Sequence, residues 1–275
     1  MRALTTLAIR VWMLAWLGAL LGLLAAPGEL HAQACATPAS LRFDIAGKIS
    51  RSQTGFTQGL EFRDGKLYES TGRVGGPTRL NVISLTGAVT TLADLGQSVF
   101  GEGLTILNDE VVQLTWQEKI VFVHDLAGKL VRRMRNPRDG WGLANDGKQL
   151  IFTDGGAALH FADPKTFRIG KSVTVRSNWA REVRELNELE FVDGKLYANI
   201  FMTWSIVRVD PASGCIEAVA DLKPLLDAMA AHERAQVAAS FDNVLNGIAH
   251  DAKSGTFYLT GKRWPVIFTG RFAER

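Results

Sequence analysis

Phe100-Gly101-Glu102-Gly103-Leu104 is the stretch from which the fold can be read, because its closing Gly-Leu is one instance of a recurring frame. The frame returns as Gln58-Gly59-Leu60, Glu102-Gly103-Leu104, Trp141-Gly142-Leu143, Asn187-Glu188-Leu189 and Asn246-Gly247-Ile248. The middle residues of these five copies lie 44, 39, 46 and 59 residues apart. That is the period at which each repeat forms one four-stranded propeller blade. The residue ahead of each copy changes while the frame persists.

Each repeat follows the same order: the Gly-Leu strand, a polar turn, and three further strands. The first shows Gly59 to Phe62, the turn Asp64-Gly65, Lys66 to Ser70, Leu80 to Ser84, the turn Thr86-Gly87, and Val89 to Ala93. Asp-Gly between alternating apolar runs is a hairpin signal, since Gly accepts the positive φ such a turn needs. The order holds through four repeats. The fifth runs out after Val266 to Phe268, one strand short, whereas Leu41 to Arg51 alternates apolar and polar residues like a strand and belongs to no repeat. Placing that N-terminal strand in the last blade joins the two ends of the ring and removes an open sheet edge. We therefore expect an all-β, five-bladed β-propeller spanning residues 35–275. The long interval before the fifth copy holds Lys223 to Ala239, with Leu225, Leu226, Met229 and Val237 at near-helical spacing. This predicts a short helix, either a cover over one mouth of the ring or a surface helix with no part in binding.

The 275 residues are 47% hydrophobic and 21% charged, the composition of a globular chain with a large core. A net charge of +3, with basic residues scattered and no aromatic interleaving, leaves no footprint for nucleic acid. Residues 1–34 read as a secretory leader: Arg2 and Arg10, an apolar run from 11 to 26, and Ala32-Gln33-Ala34 as a cleavage site. The alternative is an uncleaved anchor, but 16 apolar residues fall short of the ~20 a spanning helix needs. We expect export to the periplasm or medium, with no membrane-spanning segment after the leader is removed. Cleavage after Ala34 would leave Cys35 first, which opens lipid attachment as a second reading, although the usual leucine of a lipid box is missing.

Cys35 and Cys215 are the only two cysteines, and an even count in an exported chain invites a disulfide. If the N-terminal strand lies at the outer edge of blade five, beside blade four, the two come together and close a very long loop. Two free thiols are the other reading.

The inner strands of a propeller surround a central channel, so residues flanking the Gly-Leu copies converge there. Here the sequence resembles the plant and bacterial glutaminyl cyclases of the glutamine cyclotransferase family, over about residues 41 to 270. The resemblance rests on Phe56-Thr57-Gln58-Gly59-Leu60, Tyr68-Glu69-Ser70-Thr71-Gly72, Phe100-Gly101-Glu102-Gly103, Leu114-Thr115-Trp116, Gly140-Trp141-Gly142, Leu186-Asn187-Glu188-Leu189-Glu190, Ala198-Asn199, Leu245-Asn246-Gly247-Ile248 and Thr260-Gly261-Lys262, in that order. It implies conversion of N-terminal glutamine of peptides and proteins to pyroglutamate with loss of ammonia. It also implies a pocket of Phe56, Gln58, Phe100, Glu102, Trp116, Trp141, Asn187 and Lys262. Phe201 stands where the family usually has Trp, which alters one wall. Arg263 replaces a common leucine and is expected to affect only the surface.

The reaction needs few groups, because amine and amide carbon belong to one residue. Phe56, Phe100, Trp116, Trp141 and Phe201 are expected to hold the side chain folded for attack. Glu102 is expected to carry a proton from amine to leaving ammonia, its pKa raised by apolar neighbours. Lys262, with Gln58 and Asn187, is expected to stabilise the developing oxyanion. The blander readings are a turn carboxylate for Glu102, blade packing for the aromatics, and backbone bridging for Asn187 and Glu188. Trp116 and Trp141 read as inner-strand residues, Trp264 and Trp179 as structural, and Glu69 has no assigned role. Four His remain beyond the leader, without ligand spacing, so neither a metal nor any other cofactor is expected. A non-catalytic ligand- or protein-binding propeller and a metal-dependent lactonase-like propeller are the competing classes. A monomer is expected.

Overall fold

The computed structural model describes residues 34–275; the leader expected over 1–34 lies almost wholly outside them. The described residues begin with β1 (Ala39–Ser50) and then form three antiparallel meanders of four strands each. The first is β2 (Thr57–Arg63), β3 (Lys66–Thr71), β4 (Thr78–Ser84) and β5 (Val89–Gly96). The second is β6 (Gly101–Leu107), β7 (Glu110–Thr115), β8 (Ile120–Asp125) and β9 (Leu130–Arg135). The third is β10 (Leu143–Asn145), β11 (Leu150–Phe152), β12 (Ala158–Ala162) and β13 (Ile169–Thr174). The remaining strands are β14 (Leu186–Val192), β15 (Lys195–Ile200), β16 (Ser205–Val209), β17 (Ile216–Asp221), β18 (Leu245–Asp251), β19 (Thr256–Gly261) and β20 (Val266–Glu274). They share one eight-stranded sheet in the order β14-β15-β16-β17-β1-β20-β19-β18.

The fold is thus all-β and propeller-like. The first strand of each repeat, β2, β6, β10, β14 or β18, packs against the next, and β18 packs against β2. The recurring glycine exists for this approach. A Cβ on Gly59 would lie 2.4 Å from Leu104 N, and one on Gly142 would lie 1.7 Å from Asn187 O. Such distances exclude any side chain, so the frame is a steric requirement of packing backbones side by side. Glu188 takes the glycine position in the fourth copy and reaches across instead: its carboxylate accepts the backbone N–H of Leu60 at 2.9 Å and of Ile248 at 2.7 Å. The bridging reading is the one the structure bears out for Glu188.

β1 pairs antiparallel with β20 from Leu41 opposite Glu274 to Ser50 opposite Val266. It also does something the strand pattern does not predict: Ala39, Ser40 and Leu41 pair in parallel with Ala218, Val219 and Ala220 of β17. One strand therefore joins two repeats, and Cys35, just before it, is bonded to Cys215, just before β17. A disulfide-bonded Cys35 has no thiol to lipidate, which removes the lipid-anchor reading.

Apolar side chains fill the space between neighbouring repeats. Leu41, Leu245, Trp264 and Phe268 occupy one such cluster, and Leu114, Leu143, Leu150 and Phe152 another. The expected single helix is two: α1 (Pro224–Asp227) and α2 (Ala231–Ala238). Ala230 is extended, at φ −65° and ψ 160°, and breaks the run. α2 restarts there because Glu233 reaches back to the Ala230 N–H at 2.7 Å, the N-terminal half of a capping box. No helix of the described residues is long and apolar enough to cross a membrane.

Candidate active site

The residues before the repeat glycines, together with the ends of neighbouring strands, line a cavity of roughly 790 Å³. All nine residues expected at the site reach it: Phe56, Gln58, Phe100, Glu102, Trp116, Trp141, Asn187, Phe201 and Lys262. Gln58, Glu102, Trp141 and Asn187 each hold the same position in successive repeats. The fifth equivalent, Asn246, lies behind them. Its Nδ2 donates to Thr57 O at 2.9 Å and to Gln58 Oε1 at 3.3 Å. Gln58 Nε2 in turn donates to Glu102 Oε1 at 3.3 Å. Gln58 is therefore a link that aims Glu102, rather than a free amide, and the frame position puts Asn246 in line with the other four copies without showing that it anchors Gln58.

The aromatic residues form two groups. Phe56 meets Phe100 edge-on with centroids 6.4 Å apart, and Phe100 meets Trp116 at 5.6 Å. Trp141 meets Phe201 edge-on at 5.6 Å. Edge-to-face contact sets each ring at a defined angle, so the cavity has fixed apolar walls. Trp116 does not sit on an inner strand as the repeat reading held. It follows β7, the second strand of its sheet, and reaches the cavity because its N–H bonds Phe100 O at 2.9 Å, which brings the strand end inward. The indole of Trp141 lies against Gly155, where a Cβ would come within 2.8 Å of the ring. Phe201 supplies the wall facing Trp141.

Glu102 is buried, and burial holds its carboxyl well above the usual carboxylate range; the nearby Lys262 charge opposes this and Glu118 reinforces it. Lys262 is buried as well, which pushes its ammonium below the usual lysine range, while Glu102 and Asp242 draw it back up. Its Nζ lies 4.9 Å from the Phe56 centroid and 4.7 Å from that of Phe201, within the reach of a cation–π contact with both. Burial thus biases both members of the pair toward their neutral forms, while each one's charge favours the charged form of the other. Asn187 is buried with Oδ1 unpartnered, an unmet hydrogen bond in a pocket that a carboxamide would fit.

Several lining residues were not legible as site residues. Arg73 and Val74, from the loop between β3 and β4, and Ser240, Phe241 and Asp242, from the segment before β18, also line the cavity. Arg263 also lines the cavity, contrary to the expectation of a surface role: its guanidinium lies 4.7 Å from the Phe56 centroid, pairs with Asp242 and donates to Asn243 Oδ1 at 2.7 Å. Trp264 is structural as expected, buried with its indole N–H on Asn243 O at 2.9 Å. Trp179 is not, being 56% exposed. Glu69 acquires a setting outside the cavity: it accepts from Arg51 at 2.6 Å, Thr57 at 2.6 Å and Asn81 at 3.1 Å, a buried network beneath the Phe56 segment. Among the described residues no group of three or more His, Cys, Asp or Glu is arranged to hold a metal ion.

Known proteins share this arrangement of chain. The profile of the family described as glutamine cyclotransferase matches residues 17–272. A glutaminyl-peptide cyclotransferase from Arabidopsis thaliana is 34% identical over 228 residues, spanning 82% of this chain and 69% of the relative. The crystal structure of Myxococcus xanthus glutaminyl cyclase is 33% identical and superposes with a TM-score of 0.78 over 86% of this chain and 99% of that one. With the profile running almost from end to end and the fold shared with a glutaminyl cyclase, this chain belongs to the glutamine cyclotransferase family.

Proposed function

We propose that the protein is a glutaminyl-peptide cyclotransferase, acting on peptides and proteins that begin with glutamine. The observation that carries the reading is a buried carboxyl, Glu102, raised toward the working range inside a rigid aromatic cavity in a chain of this family. The substrate's own α-amine is the nucleophile. With the side chain folded between the two aromatic groups, the amine nitrogen attacks the carboxamide carbon, and the carbonyl oxygen takes the electron pair. Glu102, as carboxylate, accepts the proton that the amine loses. Lys262 and the amide of Asn187 stabilise the oxyanion. Glu102 then returns the proton to the amide nitrogen, the C–N bond breaks, the carbonyl re-forms, and ammonia leaves the five-membered lactam. One carboxyl serves both transfers, so a pKa between those of an ordinary carboxylate and an amine suits it. No step requires a metal or another cofactor, and we assign none.

The architecture we assign is a five-bladed propeller over residues 35–275, its ring closed where β1 enters the last blade. The cyclic packing of β2, β6, β10, β14 and β18 and the pairing of β1 with β20 support it. We assign residues 1–34 to a leader and the mature chain to an oxidising compartment outside the cytoplasm, as the Cys35–Cys215 bond supports. The working unit we assign is a monomer.

The test is ammonia release from a short Gln-initiated peptide, with and without chelator, beside Glu102→Gln. Activity that resists chelator and drops by about 10²–10⁴ in the variant, the usual worth of general acid–base catalysis, is expected. A folded wild type inactive toward several such peptides would sink the reading.

A further inference from the structure

Beside the catalytic cavity runs a second concavity of about 450 Å³, lined by Met202, Trp204, Leu226, Val237, Ala238 and Phe241 among others. The two are neighbours by construction. Ser240 and Phe241 line both, and on the turn after β15 the consecutive residues Phe201 and Met202 line one cavity each. At the boundary between them lie Phe241, 83% exposed, and Met202, 49% exposed, both apolar. Met202 holds a φ of 62°, a conformation that costs a non-glycine residue energy and here turns the chain between the two cavities.

The groove is built to stay apolar. Its polar side chains are engaged within the protein: Thr203 donates to Ile200 O at 2.7 Å, Arg234 to Met229 O at 2.6 Å, Asn243 to Gln236 O at 2.9 Å, and Ser240 to Asp242. Trp204 is backed by the fully buried Trp264, with centroids 5.7 Å apart, so the floor is firm. A ligand in this groove would meet hydrocarbon and few free donors or acceptors, which favours apolar side chains.

Resting on the cyclotransferase reading, we propose that the substrate chain leaves the catalytic cavity over the Ser240–Phe241 boundary and lays its third and fourth residues in this groove. The groove then selects Gln-initiated peptides with apolar side chains at those positions. Continuity carries it: a peptide whose first residue fills the cavity must run out across its rim, and at Phe241 that rim is apolar and is shared with a second concavity. It also gives the α2 segment a use as the wall of a groove rather than as a cover.

The experiment compares kcat/KM for the dipeptide Gln-Gly, for Gln-Gly-Leu-Phe and for Gln-Gly-Ser-Ser. Wild type is set beside Met202→Asn, which suits a positive φ, and Ala238→Glu, an exposed helical position. Neither residue lines the catalytic cavity. Wild type is expected to process the Leu-Phe peptide about tenfold better than the Ser-Ser peptide, on the order of partly burying one apolar side chain. Both variants are expected to reduce that ratio to below about threefold, with Gln-Gly unchanged. Equal rates on the two tetrapeptides in wild type, or a ratio intact in both variants, would overturn the groove assignment while leaving the cyclase reading in place. No ammonia from Gln-Gly or either tetrapeptide would instead remove the cyclase reading and the groove with it. A wild-type dimer that Ala238→Glu dissociates without touching the ratio would make the groove a contact between copies, against the proposal.

Discussion

Breaking the Cys35–Cys215 disulfide is expected to cost more stability than almost any single core substitution. The bond spans 180 residues of sequence. In the chain-entropy account, cross-linking a loop of that length removes freedom from the unfolded ensemble worth about 5 kcal/mol at 25 °C, an upper figure where unfolded-state structure remains. The native side adds to this, because the bond pins the start of β1 where Ala39–Leu41 pair with Ala218–Ala220. Those three parallel pairs are all that joins β17 to β1. For a domain of this size 1 kcal/mol moves Tm by about 2–4 °C, so Cys35→Ser with Cys215→Ser is expected to melt roughly 10–20 °C lower. The assay is thermal and urea unfolding of the oxidised protein beside the double variant, with limited proteolysis of the N-terminal strand at 25 °C. Ammonia release by the folded variant is expected to match wild type, since neither sulfur lines the cavity. A Tm difference under about 4 °C, with β1 still resistant to protease, would refute the argument. It would mean that the β1–β20 ladder alone holds the two ends of the chain.

Lys262→Met removes the cation that restrains Glu102, so the Glu102 pKa is expected to rise further. The acid limb of the kcat/KM profile, which reports formation of the carboxylate in the free enzyme, should then move to higher pH; a limb that stays put or moves down would contradict the coupling. Asn246→Ala takes away the group that anchors Gln58 and through it Glu102. A loss of about tenfold in kcat with little change in KM is expected, and a pure KM effect would place Asn246 in binding instead. Glu61, at the end of β2, has its pKa raised to about 7 by burial, which its bonds from Thr105 and Ile106 and the charge of Arg63 only partly offset. A carboxyl raised in the folded state holds its proton better than the unfolded chain does, so its contribution is full below about pH 4.5 and is lost as pH rises toward 7. Glu61→Gln should therefore flatten that fall, read as a smaller Tm difference between pH 5 and pH 8. An unchanged difference would show that Glu61 is charged throughout.

What was legible in the sequence was what the backbone repeats. Gly59, Gly103 and Gly142 recur because inner strands approach too closely for a Cβ, and a steric requirement met once per sheet leaves a periodic mark. The residue just before the middle position of each copy inherits that order, so the frame alone points Gln58, Glu102, Trp141 and Asn187 toward one cavity, which all four line. Residues fixed by contacts that do not repeat left no such mark. Arg263 looked like surface because its pairing with Asp242 and Asn243 joins the strand-end loop after β19 to the loop before β18, a contact that no spacing encodes. Val74 and Phe241 look like ordinary loop residues in sequence, and only the cavity behind them gives their exposed apolar surface a meaning. Trp179 erred in the opposite direction: its size suggests burial, yet its loop leaves it in solvent. The parallel pairing of β1 with β17 was hidden for a related reason. The alternation of Leu41, Phe43 and Ile45 specifies a strand face but not which edge its first residues meet, and only the position of Cys215 pointed there. The chemistry follows the same division. Under the proposed cyclotransferase reading, the positions that recur with the repeat, Glu102 and its neighbours, suit the transformation itself, and the non-repeating rim is left to face the part of a substrate that differs from one peptide to the next. Substitutions at the rim should therefore change which peptides are used, and substitutions at the repeat positions should change whether any are.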